Sequence, residues 1–225
     1  MDKEKLSKEL QEARIRISVL ESECEAMRRE IRLTKLRRQV TPHFLFNSIS
    51  VAVCLITESP KLAIKFLRHL ASMYRYLLKY GNEYSVPVET ELEMLRQYYE
   101  LMSLRHVGCL LLHVSDKASR LHGHPLPPLA LQGLLENAIK HNIHTEDCPL
   151  SVTIDTDGDF LTVSNAVVPL LSDTETTHTG LAYMNETMKL LFGKEIETVN
   201  DGKTFTVRIP LVKEPGRQSC LTVYG

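Results

Sequence analysis

Through residues 1–40, apolar or small residues recur at alternating steps of four and three: Leu6, Leu10, Ala13, Ile17, Leu20, Cys24, Met27 and Ile31. This is the seam of a two-stranded coiled coil, about four heptads long, with charged outer faces. So narrow a stripe gives an isolated helix nothing of its own to bury against. The pattern therefore predicts a partner helix, and with it a parallel homodimer.

The seam ends at VTPHFLFNS (40–48). A proline removes one helical hydrogen bond and biases the preceding residue away from helix, so Thr41 is expected as N-cap and Pro42 as the first position of a new helix. From 42 to 57, Phe44, Leu45, Phe46, Ile49, Val51, Ala52, Val53, Leu55 and Ile56 cover about three quarters of the circumference at 100° per residue. The strip that remains holds His43, Asn47, Ser50 and Cys54. A helix buried in a bundle, with His43 in one narrow polar window, is the expectation. TESP (57–60) is a turn, with Ser59 as cap and Pro60 opening the next helix. Along 61–80, Ala63, Phe66, Leu67, Leu70, Tyr74 and Leu77 share a face. Helices joined so closely form an antiparallel hairpin, and two hairpins held by the coiled coil make a four-helix bundle.

Residues 86–106 read as a further helix with acids in its first turns, where the helix dipole favours them. The pattern then changes. CLLLHV (109–114), SVTIDT (151–156), FLTVSN (160–165) and TFTVRI (204–209) alternate apolar with polar residues or carry β-branched runs, as strands do. DTDGD (155–159) is a hairpin turn between two of them. Helices are expected at about 128–144 and 180–192. The fold class predicted is α+β: a coiled coil over 1–36, a helical-hairpin dimerisation unit over 37–84, and an α/β sandwich over 85–212. In the sandwich, helices cover one face of a mixed sheet. Residues 213–225 form a tail.

Composition narrows the function classes. Hydrophobic content of 43% and charged content of 24% are ordinary for a globular protein, and a net charge of −1 gives no pull toward nucleic acid or anionic membrane. The apolar stretches fall short of the roughly 18–20 residues of a membrane span, and MDKEKLSKEL has no signal-peptide core. The cysteines, Cys24, Cys54, Cys109, Cys148 and Cys220, are scattered without a CxxC pair, which suits free thiols in a reducing compartment. Arg28, Arg29, Arg32, Lys35, Arg37 and Arg38 form a basic run that follows the heptads. In basic-zipper proteins such a run precedes them, so direct nucleic-acid binding is a poor reading and a solvated face the better one.

PPLALQGLLENAIKHN (127–142) holds the second set of candidate residues. On a helix, Gly133, Asn137, Lys140, His141 and His144 cluster on one side, while Leu131, Leu135, Ala138 and Ile139 face the core. A glycine inside the helix costs roughly 1 kcal/mol against alanine, which suggests close approach of another group. An amide, an ammonium and an imidazole together suit a Mg²⁺-bound polyphosphate, although a solvated helix face explains the same spacing. A metal site built from His122, His124, His141 and His144 lacks a completing cysteine or acid pair. Neither GxxxxGK[ST] nor GxGxxG occurs.

RRQVTPHFLFNSIS, SMYRYLL, VETELEMLRQYYELMSLRH and PPLALQGLLENAIKHN, in that order and spacing, resemble the LytS/YehU-type sensor histidine kinases from about Lys35 to Pro210. The resemblance implies a dimeric kinase that uses ATP and Mg²⁺ to phosphorylate itself on histidine. It also implies transfer of the phosphoryl group to an aspartate of a response regulator, expected to be a DNA-binding transcriptional regulator. His43 matches the phosphoacceptor and Asn47 the asparagine of the same motif. Asn137 matches the Mg²⁺-holding residue, with Glu136, Lys140 and His141 around it. Arg75 and Arg105 match further basic positions.

The chain also departs from the family pattern. Where the family has an aspartate and glycines after a strand, this sequence reads SNAVVP, with Asn165 in the aspartate's place. In HTGLAYMN, Gly180 and Leu181 match, His178 replaces a glycine, Tyr183 stands at an asparagine position, and Thr187 replaces an arginine. Two function classes follow: an active histidine kinase, or a degenerate relative serving as dimeric scaffold or phosphoacceptor with weak ATP binding. A cytoplasmic location is expected, or the cytoplasmic side of the inner membrane if the chain belongs to a longer receptor with a membrane sensor segment.

Overall fold

A computed structural model describes residues 42–168 and 179–213 together with positions 11, 14–16, 18–24 and 27; for 42–46 and 179–180 it describes the backbone alone. The chain divides into two units, Met1–Val40 and Thr41–Gly225. In the first, the described positions are helical, and Leu20, Cys24 and Met27 of the expected seam are exposed. The other seam positions and Thr41 lie outside the described residues.

The second unit opens with a helical hairpin, α1 (Pro42–Glu58) and α2 (Pro60–Tyr80). Pro60 takes the first helical position as expected, but Ser59 makes no side-chain cap, and its carbonyl instead accepts from Ala63 N at 3.0 Å. In α1, Ala52 and Leu55 are buried, whereas Ile49, Val53 and Ile56 face outward. The buried face of α2 is Ala63, Phe66, Leu70, Met73 and Tyr76. Leu67 is exposed and Tyr74 and Leu77 are half-buried, so the stripe is turned from the expected one. Apolar residues run almost round α2, and what fixes its phase is the helix that packs on it.

That helix is α3 (Val88–Arg105), whose Val88, Leu92, Leu95, Tyr98, Leu101 and Met102 are buried. Polar ties run antiparallel between α2 and α3. Lys65 Nζ donates to Glu100 Oε2 (3.0 Å), His69 Nδ1 lies 2.9 Å from Gln97 Oε1, and the Tyr76 hydroxyl donates to Glu91. Just before α3, β1 (Val86–Pro87) pairs with β3 (Pro125–Leu126) in a small antiparallel ribbon.

The main sheet has the order β2-β4-β5-β7-β6, with β2 (Leu110–Val114), β4 (Leu150–Thr156), β5 (Phe160–Ala166), β6 (Glu197–Asn200) and β7 (Thr204–Pro210). β2 and β4 are parallel, and the other neighbours are antiparallel, so the sheet is mixed as expected. A short helix, α4 (Asp116–Ser119), follows β2. The DTDGD turn forms: Asp157 Oδ1 accepts from Phe160 N (2.8 Å) and Asp159 N (3.1 Å), and Gly158 takes φ 99°, where a side chain would be strained.

One face of the sheet is covered. Leu150, Val152, Ile154, Leu161, Val163, Val207 and Ile209 are buried on it; α5 (Ala130–His141) packs against β4, and α6 (Thr179–Phe192) packs beside α5. This core is continuous with that of the hairpin through α3. No helix among the described residues is long and apolar enough to cross a membrane.

Candidate active site

α5 begins in an unusual way. Its N-cap is Leu129, which has no side-chain oxygen to offer the first-turn amides and adopts the left-handed region at φ 64°. Glu91 on α3 takes over that task, accepting from Leu129 N (2.8 Å) and Leu131 N (3.1 Å). Below this cap, Ala130, Leu131, Leu134, Leu135 and Ala138 form the buried stripe, and Ile139 is half-buried. The opposite side carries the candidate residues: Glu136 and Lys140 are exposed, and Asn137 and His141 half-buried. A Cβ built at Gly133 meets nothing within 4 Å, so no described atom approaches it closely. Partial desolvation pushes the Glu136 carboxyl above its ordinary pKa, with the Lys140 ammonium pulling it back. The buried Tyr98 hydroxyl is raised too, by burial first and then by the charge of Glu136.

The helix stops at His141, three residues before the expected end, so His144 is not on its face. Asn142 is buried where the helix stops. Its Nδ2 donates to Ala138 O (2.9 Å), its Oδ1 accepts from Val168 N (2.8 Å), and Ile143 N donates to Val168 O (2.8 Å). These bonds stitch the end of α5 to the chain leaving β5, the strand of Asn165. Asn165 is buried on the helix-covered face, and its Nδ2 donates to Ala166 O (2.7 Å). α6 packs beside α5; Gly180 and the half-buried Leu181 lie in its first turn, and Thr187 donates its hydroxyl to Tyr183 O at 2.8 Å. The fold thus gathers α5, the end of β5 and α6 on one side of the sheet.

His43 and Asn47 lie elsewhere, on α1 in the hairpin. They are one turn apart along the helix, and Asn47 is exposed. Arg75 on α2 donates to Ser72 Oγ (2.9 Å), and Arg105 is exposed in the last turn of α3. The histidines of the metal reading go separate ways. His122 lies by Glu89 (3.9 Å), His124 Nδ1 lies 3.0 Å from Val212 O, and His144 pairs with His106. Among the described residues no three His, Cys, Asp or Glu side chains are placed to hold a metal ion.

Sequence reasoning singled out neither Glu91 nor Asn142. Glu91 had a signal: it stands in phase with Val88, Leu95 and Tyr98, an acid within an apolar stripe. Asn142 had a weaker one, as the short polar residue ending an amphipathic run.

The histidine kinase family model matches residues 31–109. The sensor protein kinase HptS of Staphylococcus aureus, in strains USA300 and COL alike, is 36% identical over 126 residues, 56% of this chain and 24% of the relative. The chain thus spans about a quarter of the length of the curated relatives it matches. Among solved structures, the Acinetobacter baumannii histidine kinase AdeS aligns with a TM-score of 0.38 at 16% identity, over 75% of this chain and 98% of that one. The catalytic domain of histidine kinase ThkA aligns at 0.38 and 20% identity, over 53% and 91%. In sequence, this chain is similar to sensor histidine kinases over part of its length.

Proposed function

We propose that this chain is the kinase core of a two-component sensor, which phosphorylates itself on His43 from ATP and passes the phosphoryl group to a response-regulator aspartate. One observation carries the reading. A single unit holds a helix with His43 and Asn47 one turn apart, and a second helix whose unburied side bears Glu136, Asn137, Lys140 and His141.

The residues fit Mg²⁺-bound ATP as substrate. The Asn137 amide oxygen is a hard ligand suited to Mg²⁺, and the Lys140 ammonium complements phosphate charge. Asn165 spends its Nδ2 on Ala166 O, which leaves Oδ1 to accept from the adenine amino group. Gly180 and Leu181 open α6 beside α5. When bound, Mg²⁺ neutralises charge on the transferring phosphate. His43 supplies the nucleophile through an imidazole nitrogen. Asn47 orients that ring or the incoming phosphate.

The proposed organisation is a coiled coil over 1–36, a dimerisation hairpin over 37–84, a catalytic sandwich over 85–212 and a tail over 213–225. Two hairpins pair through Ile49, Val53, Ile56, Ile64 and Leu67, which are exposed in the single chain. The partner regulator binds DNA, and the kinase works in the cytoplasm or on the cytoplasmic side of the inner membrane. A second reading is a scaffold or phosphoacceptor with weak ATP binding. It is favoured by the burial of Asn165 in the expected aspartate's place and by Thr187, whose hydroxyl bonds Tyr183 O where an arginine is expected.

Incubation with γ-labelled ATP and Mg²⁺ separates the two. The kinase gives base-stable, acid-labile label that is lost in His43→Ala and in Asn137→Ala. No label, together with no measurable ATP binding, establishes the scaffold instead.

A further inference from the structure

Among the described Asp, Glu, Lys, Arg and His residues, Glu91 is the only one that is buried, at 1% exposure. Its carboxylate is shared between two elements. Oε1 accepts from the Tyr76 hydroxyl of α2 and from Leu129 N of α5, and Oε2 accepts from Leu131 N. Burial pushes this carboxyl's pKa up, while Tyr76 and the amides of Leu129, Ala130 and Leu131 pull it back. A buried carboxylate depends on its donors, because an unmet charge there is far costlier than at the surface. The first turn of α5 is therefore capped by a group whose other partner stands on the hairpin.

We propose that the Tyr76–Glu91 pair is a positioning couple through which the hairpin carrying His43 sets the placement and order of the helix carrying Asn137. The functional consequence rests on the kinase reading; the coupling itself does not. Displacement of α2 along α3 withdraws the Tyr76 hydroxyl. Glu91 must then take up a proton or turn further toward the α5 amides, and either event alters the cap. Asn137 lies six residues beyond Leu131, about 9 Å along a helix that moves as one body. Lys65–Glu100 and His69–Gln97 also hold α2 to α3, but these ties end on α3; of the three, Tyr76 alone bonds a group that also bonds α5.

Hydrogen exchange on the full chain tests this, with Tyr76→Phe, Glu91→Gln, the double variant and Lys65→Ala as control. Tyr76→Phe keeps the ring in its seat and removes only the hydroxyl. Loss of one charge-assisted hydrogen bond is expected to speed exchange of the Leu129–Leu131 amides by about tenfold, with β4 and β5 unchanged. Glu91→Gln should exceed this effect, the double variant should add nothing to it, and Lys65→Ala should leave these amides as they are. Mg²⁺-ATP affinity should fall in the same order. Unchanged exchange at 129–131 in Tyr76→Phe overturns the proposal. So does equal acceleration across β4 and β5, or the same acceleration in Lys65→Ala, since either reports general loosening. If the unmodified protein binds no ATP, the kinase reading fails, and the exchange data still decide the coupling.

Discussion

His106 and His144 face each other with Nδ1 and Nε2 3.1 Å apart. The tautomers follow from the next bond out. His144 Nδ1 lies 2.9 Å from Asn142 O, a carbonyl that can only accept, so Nδ1 carries the proton. Neutral His144 therefore accepts at Nε2, and His106 Nδ1 donates. Burial, the neighbouring His144 and the Arg105 guanidinium all oppose a charge on His106, and its pKa lies below the ordinary 6.5. A base with a folded pKa below its unfolded one contributes stability that is intact above about pH 6.5 and lost as pH falls toward the lowered value. Unfolding free energy from urea titrations should thus decline as pH falls below about 6.5. In His106→Gln the decline should be shallower. An identical slope in that variant would remove His106 from the account.

At the scale of elements, sequence and structure agree wherever one periodicity dominates. β4 and β5 alternate cleanly, and DTDG carries its turn chemistry in its side chains, so both were legible. β1 and β3 are two residues each, too short for any period, and β6 (ETVN) is an edge strand exposed at every position. α5 ends early because Asn142 turns its side chain back to Ala138 O, a tertiary stitch with no periodic signature. In α2 the face was misjudged because Leu62, Ile64, Leu67 and Leu78 compete with the true stripe, and only the seat of α3 settles the phase. The candidate residues on α5 were legible as a polar side, but their cap was not, since it comes from another helix. The apolar residues that α2 and α1 leave outside also have a use in the proposed homodimer. Val53 and Ile56 are 58% and 52% exposed, so changing them removes nothing from the core of a single chain. Val53→Glu with Ile56→Glu should weaken the dimer at least tenfold, given about 1.5–3 kcal/mol for each apolar side chain withdrawn from water. Light scattering across a dilution series reads the dissociation constant, and far-UV dichroism checks that the helices persist. An unaltered constant would place the dimer contact elsewhere.

For the whole molecule, the position of α3 raises the question of how far hairpin and sandwich are separate bodies. The boundary expected at residues 84 and 85 lies just before β1, yet one continuous core runs from Phe66 in α2, through Leu95 and Tyr98 in α3, to Leu131 in α5 and Ile209 in β7. The proposed kinase activity requires His43 to reach the nucleotide, which favours a hairpin that can shift against the sandwich. Two deeply packed helices resist such a shift, because close-packed interfaces move between discrete arrangements rather than deforming smoothly. The apolar seam and its polar ties therefore favour a unit that unfolds together and shifts, when it shifts, by sliding α2 on α3. Phe66→Ala tests the first half of this. It empties a fully buried site on the hairpin side and should cost about 3–5 kcal/mol. If the unit is cooperative, that loss appears undiminished in the most protected amides of β5, which no substitution has touched, and the urea transition stays single. Were β5 to keep its protection while the helical signal melted early, residues 84 and 85 would mark a boundary between independent folding units. The hairpin could then swing on β1, with no need to slide along α3.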